Sequence, residues 1–306
     1  MPISSNFRLK TSNPFLTSGA GQMLLAAFWF ALMNVFVKKV SHLPAMELVM
    51  FRCSVSTAFC LGGMYQHKVS GTGSNKKLLL LRGFFGTAAL YLYFLTVQHM
   101  PLGTAVSVQY LSPVFTVIIA SILLKEKITR LQVLFSLISF SGVLFIKGFD
   151  ARISLFYLGV GVLSAIISSL AYNMIRSLAG KEHPLVVVLH FQLMAAIIGF
   201  ICTLFNWVTP HGMEWLWLFL VGASTQLGQM AMTRSLQKEK VSKVSILTYT
   251  GIIYAILFGY FLFGESYGLP AVFGMILIVG GVVLNILFGQ GRVKAEIASE
   301  PLKNNL

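Results

Sequence analysis

Apolar residues in this chain come in runs long enough to cross a bilayer, one after another, with little between them. A helix needs roughly 20 apolar residues to span the hydrocarbon. Ten such runs can be drawn: 17–37, 45–65, 78–97, 102–124, 129–148, 154–176, 184–208, 215–236, 241–263 and 267–289. Backbone polar groups cannot stay unsatisfied in lipid, so only helices or a closed barrel cross it. The runs lack the two-residue alternation of a barrel strand. Charged residues make up 10% of the 306, against about 25% in soluble domains. The expectation is an all-α polytopic membrane protein with ten transmembrane helices.

The runs also repeat. Displaced by 139 residues, the chain lies over itself from the third run onward: Gly83 on Gly222, Gln98 on Gln237, Tyr110 on Tyr249, Glu126 on Glu265, Gly142 on Gly281. A shift of 140 serves the first two runs, with Gly19 on Gly159, Gly21 on Gly161, Ala31 on Ala171, Pro44 on Pro184 and Phe51 on Phe191. The chain therefore reads as a five-helix unit written twice: a tail (1–16), a first repeat (17–148), a linker (149–153), a second repeat (154–289) and a second tail (290–306). Five is odd, so the two units cross the membrane in opposite senses. Inverted repeats of this kind are common in alternating-access transporters, whose substrate site lies near the midplane between the halves.

Charge orients the chain. The formal net charge of +14 is scattered through short loops rather than gathered on one face, which argues against nucleic acid as a partner. With both termini on the cytoplasmic side, 18 Lys and Arg fall near inner helix ends, Arg82 among them. Lys38, Lys39, Lys147 and Arg152 fall outside, and Arg52 lies within a helix. The positive-inside rule then sets both termini in the cytoplasm, and the expected location is the cytoplasmic (inner) membrane. Cys53, Cys60 and Cys202 sit in apolar runs and read as packing residues. The first run reads as a retained helix rather than a signal peptide. No spacing suggests a metal or a cofactor. The expected partners are a small-molecule substrate and the lipid bilayer, with the chain a monomer or weak oligomer.

Several side chains are candidates to line a substrate cavity. Pro113 reads as a mid-helix kink that deprives the carbonyl of Gln109 of its donor, with Ser112 beside it. Gln226 and Gln229 share a helical face. Trp29, Asn34, Tyr91, Tyr172, Asn173, Tyr249 and Tyr254 add polar and aromatic lining. Glu126 and Glu265 each precede the fifth helix of a unit; capping that helix and forming a gate salt bridge are the two readings. Three roles are open to Arg52: reaching outward to the interface, pairing with Glu47, or binding an anionic group. His190 is the histidine that lies clearly within an apolar run, either satisfied in the core or a proton site. All nine acids fall at span ends, in loops or in tails. A deep carboxylate for proton coupling or for a lipophilic cation is not expected, which favours a facilitator or weakly proton-coupled carrier.

The stretches "LSPVFTVIIASILLKEKITRLQVLFSLISFSGVLFI" (111–146) and "FGYFLFGESYGLPAVFGMILIVGGVVLNIL" (258–287) resemble the two EamA repeats of the drug/metabolite transporter superfamily. "MELVMFRCS" (46–54) and "LRGFFGTAALYLYFLTVQHMPLGTAV" (81–106) fit the same pattern. The resemblance implies a ten-helix secondary transporter whose cavity is lined by helices 1, 3, 4, 6, 8 and 9. It also favours a structural or gating role for Arg52, a common feature of the family. Many members carry Glu-Pro where this chain has Gly251–Ile252. The stretch around it is more similar to the branch of S-adenosylmethionine and riboflavin carriers. The expected function is export of amino-acid-like or related metabolites, with exchange or import of a nucleoside- or cofactor-like molecule as the alternative. No metal-ligand or nucleophile cluster supports an enzyme.

Overall fold

The fold is described by a computed structural model that covers residues 18–123, 130–147, 153–178, 181–238 and 246–303. The first half is α1 (Gly19–Lys39), α2 (Ala45–His67), α3 (Lys76–His99), α4 (Leu102–Gln109), α5 (Ser112–Leu123) and α6 (Arg130–Lys147). The second is α7 (Leu155–Leu178), α8 (Pro184–Thr203), α9 (Glu214–Lys238), a 3-10 turn (Ile246–Tyr249), α10 (Thr250–Phe263) and α11 (Leu269–Lys303). Among the described residues there is no strand.

Local chemistry sets the ends. The Ser18 hydroxyl accepts from Gly21 N at 3.1 Å and opens α1, while Lys38 and Lys39 close it with charge that suits the negative end of the dipole. Pro44 and Pro101 precede α2 and α4, positions that need no N–H. Gly264 ends α10 at φ 62°, a left-handed conformation that glycine adopts without penalty. The last helix runs on to Lys303, well past the 289 boundary expected of the final span.

Five of these helices, α1, α2, α3, α7 and α8, are long and apolar enough to cross a membrane. Large apolar side chains stand exposed around the bundle, Leu144, Phe156, Phe205, Phe261 and Leu269 among them. A monomer in water rarely shows so much apolar surface. Lipid supplies the missing contact.

Helix pairing follows the repeat. α1 packs on α9 as α7 packs on α3, and α2 on α9 as α8 on α3. Three further pairs join counterparts directly, α2 with α8, α4 with α10 and α6 with α11, while α5 on α7 and α10 on α1 repeat one another. In the α6–α11 crossing Gly142 faces the backbone of Gly274 and Gly281 faces the backbone of Phe135. Shifting either contact by 139 residues yields the other. The loops obey the same rule. Asn75 donates to Glu182 through its backbone N (2.5 Å) and side chain (3.2 Å), and their counterparts, Glu214 and His42, form an ion pair at 3.0 Å.

Candidate functional site

The fourth segment of the first unit is interrupted. α4 stops at Gln109, Tyr110 and Leu111 turn, and α5 begins at Ser112. Tyr110 N is shared between Val106 O and Ser107 O, and Leu111 N bonds Val108 O, three residues earlier. Pro113 is therefore not a kink inside one helix but lies in the first turn of a new one. Pro113 has no N–H to offer the Gln109 carbonyl, which weakens the helix at this point. In the second unit the 3-10 turn hands over to α10 at Thr250, the position equivalent to Leu111.

The two interruptions meet. The rings of Tyr110 and Tyr249 lie with centroids 4.9 Å apart, and Tyr110 OH donates to Thr248 O at 2.7 Å. Gly251 leaves the space that the Tyr110 hydroxyl fills. Tyr172 is within electrostatic reach of both, Tyr93 is within reach of Tyr110, and Arg52 is within reach of Tyr93. Asn34, 4% exposed, lies near Tyr93 from α1. Arg82 and Arg52 act on Tyr172 and on each other. Tyr172 is 45% exposed, so open space adjoins its ring even among these groups.

Of the residues expected to line the site, Asn34, Tyr172 and Tyr249 stand here, and Arg52 joins them. Arg52 is buried, its Nη1 3.5 Å from Cys53 Sγ and its guanidinium 6.0 Å from the Phe94 ring centre. Pairing with Glu47 is overturned. Glu47 accepts from Val208 N at 3.2 Å instead, because it lies at the first turn of α2 and faces the α8–α9 loop. Two members were missed. The charge pattern sets Arg82 at a helix end, but its guanidinium turns along α3 to lie against Gly86 and 4.3 Å over the Phe191 ring. The sequence points to Tyr91, and the structure brings Tyr93 here instead. Arg82, Gly86 and Tyr93 share one face at helical spacing, and Tyr91 lies half a turn away, so the stripe from Arg82 was the available signal.

Other candidates serve the walls. Gln109 donates to Ser168 at 2.9 Å and accepts from Ser164 at 3.0 Å, tying α4 to α7. Gln226 and Gln192 both bond Ser56, at 3.1 Å each, joining α9, α8 and α2. Asn173 donates to Ser169 O at 2.9 Å and Thr116 O at 3.3 Å. Ser112 is buried and Gln229 half-buried. Trp29 and Tyr254 both pack edge-on against Phe28, at 5.6 and 5.7 Å, and Tyr91 packs on the main core. His190 bonds the carbonyl of Val186 in its own helix at 2.8 Å and is within electrostatic reach of Glu182.

Glu265 does not cap the helix that follows it, which starts only at Leu269. Its carboxylate accepts instead from Leu102 N, 2.8 Å away at the start of α4, and from Tyr267 OH at 2.6 Å. Lys38 pairs with it and also donates to Met100 O at 2.9 Å. One carboxylate thus ties together α1, the α3–α4 corner and the end of α10. A shallow depression of about 330 Å³ lies over this latch. Glu126 lies outside the described residues. Among the described residues no group of His, Cys, Asp and Glu could hold a metal ion.

The EamA-like transporter family matches residues 17–148 and, again, 155–287. The chain belongs to that family. A similar protein is the pseudopaline exporter CntI of Pseudomonas aeruginosa, 32% identical over 267 residues, covering 86% of this chain and 94% of its own. Solute carrier family 35 member G1 of Mus musculus is 28% identical over 256 residues, covering 77% of this chain and 69% of its own. A solved crystal structure shares the fold with a TM-score of 0.65 at 19% identity, over 88% of this chain and 97% of that one. As an EamA-like chain it is a multi-pass membrane transporter and not an enzyme.

Proposed function

We propose that the chain is a secondary transporter that exports small organic metabolites, amino-acid-like or related, by alternating access. Its ten spans form two inverted five-helix repeats in the cytoplasmic membrane, with both termini cytoplasmic. The observation that carries this reading is the meeting of two interrupted segments, equivalent by the repeat, at Tyr110 and Tyr249. Irregular backbone at membrane depth is tolerated where it lines a cavity or is buried in protein, and transporters place substrate there. The exporter relative supports the direction.

With this orientation the Lys38–Glu265 latch closes the outer end. Opening it breaks the Lys38–Glu265 pair and uncaps α4. Four tyrosines around one space favour a second reading, exchange of a nucleoside- or cofactor-like solute, since flat rings stack well on aromatic faces.

Counterflow into proteoliposomes loaded with amino acids, nucleosides, S-adenosylmethionine or riboflavin tests both readings. The expected result is exchange of at least one solute, indifferent to a pH gradient. Accumulation that needs proton flow would remove the facilitator mechanism and make His190 the residue to change. Failure of every solute to exchange would sink the transport assignment for these classes.

A further inference from the structure

Among the described residues, neither Arg52 nor Arg82 pairs with a carboxylate. Arg52 is 6% exposed, and its Nε has no hydrogen-bond partner. Arg82 leaves both Nε and Nη1 without one. A guanidinium offers five N–H donors in a fixed fork, and a buried charge in a membrane bundle is ordinarily paired or faces a cavity. Among the described residues the ion pairs are Lys38 with Glu265 and His42 with Glu214. Neither uses an arginine. The groups acting on Arg82 are Tyr172, Arg52 and Cys53, so the two guanidiniums repel each other, and among the described residues no carboxylate offsets them.

The geometry reads as built rather than incidental. Gly86 lacks the Cβ that would strike the Arg82 Nη1, and so permits the guanidinium to lie inward along α3. Phe191 and Phe94 offer ring faces to the two cations, which holds them without neutralising them. Tyr172, within electrostatic reach of both, is 45% exposed, so open space adjoins it.

We propose that this space takes a small organic dianion, with one anionic group held at Arg52 and the other at Arg82, and the tyrosines as its walls. The inference rests on the transport reading and names the substrate class of that site. Arginine binds carboxylates through paired, charge-assisted hydrogen bonds, and two separated forks match two separated anionic groups. A neutral or zwitterionic solute would leave at least one guanidinium uncompensated.

The test is thermal unfolding of the purified full-length chain in detergent with succinate, glutarate and adipate, each against its diamide. A ligand that binds the folded state raises the melting temperature with concentration. At least one diacid is expected to do so where its diamide does not, and Arg52→Gln and Arg82→Gln are each expected to weaken that diacid at least tenfold. Arg52→Lys and Arg82→Lys should keep part of the effect. If a glutamine variant does not fold, the diacid–diamide comparison on the wild-type chain still decides. Equal shifts from diacid and diamide at every length overturn the proposal, as does undiminished diacid binding by both glutamine variants. Counterflow separates this failure from that of transport. Exchange of another solute, untouched by any diacid, removes the dianion and leaves the carrier standing.

Discussion

Gly86 and Arg82 form one device. The glycine contributes an absence, and the arginine side chain occupies it. Gly86→Ala should displace the guanidinium and press on the buried Phe191 ring, raising KM for the transported solute several-fold and lowering the melting temperature as well. Counterflow kinetics beside thermal unfolding would separate the two. A second residue-scale effect lies outside the spans. The backbone N–H of Asn75, with its side chain and Ser74 adding to it, holds the Glu182 carboxyl below the usual carboxylate range. A depressed folded value means the contact stabilises fully above the ordinary carboxylate pKa and is lost as pH falls through the depressed one. Glu182→Ala should therefore lower the melting temperature at neutral pH, and the gap to wild type should close in acid. At this scale the sequence was partly legible. Asn34, Tyr172, Tyr249 and Arg52 stood out as polar or aromatic groups in apolar runs, whereas Arg82 did not, because its distance from the helix start hides the direction its side chain takes.

Elements were easier to read than their joints. Apolar runs located most helices, since a bilayer leaves the backbone few choices. The break after Gln109 was visible as Pro113, but its form was not: a proline spoils one hydrogen bond, and only the packing of α4 on α10 and α5 on α7 decides between a bent helix and two helices. Tyr110→Phe removes the bond to Thr248 O, an interaction of about 0.5–1.5 kcal/mol, and should slow turnover more than it changes KM. The latch makes a parallel case. Glu265 was recognisable as a carboxylate at a helix end, but the N-terminus it caps lies 163 residues away in sequence. Glu265→Ala loses cap and ion pair together and should cost about 1–2 kcal/mol, read by thermal unfolding. Lys38→Met, which spares the cap, should cost less.

Across the whole molecule, the 139-residue shift carried more of the architecture than any motif, because it fixes which helices are counterparts and hence which pairs must recur. The α6–α11 crossing shows this most directly. A Cβ at Gly142 or at Gly281 would run into the backbone opposite, so Gly142→Val and Gly281→Val should destabilise by similar amounts, about 1–3 kcal/mol each. The pair should fall short of additive, since both substitutions open the same seam.

That seam is its own complement: each side offers the other the glycine and backbone it receives. A surface of this kind can join two separate polypeptides as readily as two halves of one, so the covalent link through 149–153 is a convenience and not a requirement. Fragments 1–150 and 151–306 made in the same cell should assemble, and a single ancestral unit with such a surface could have worked in pairs before duplication fused it.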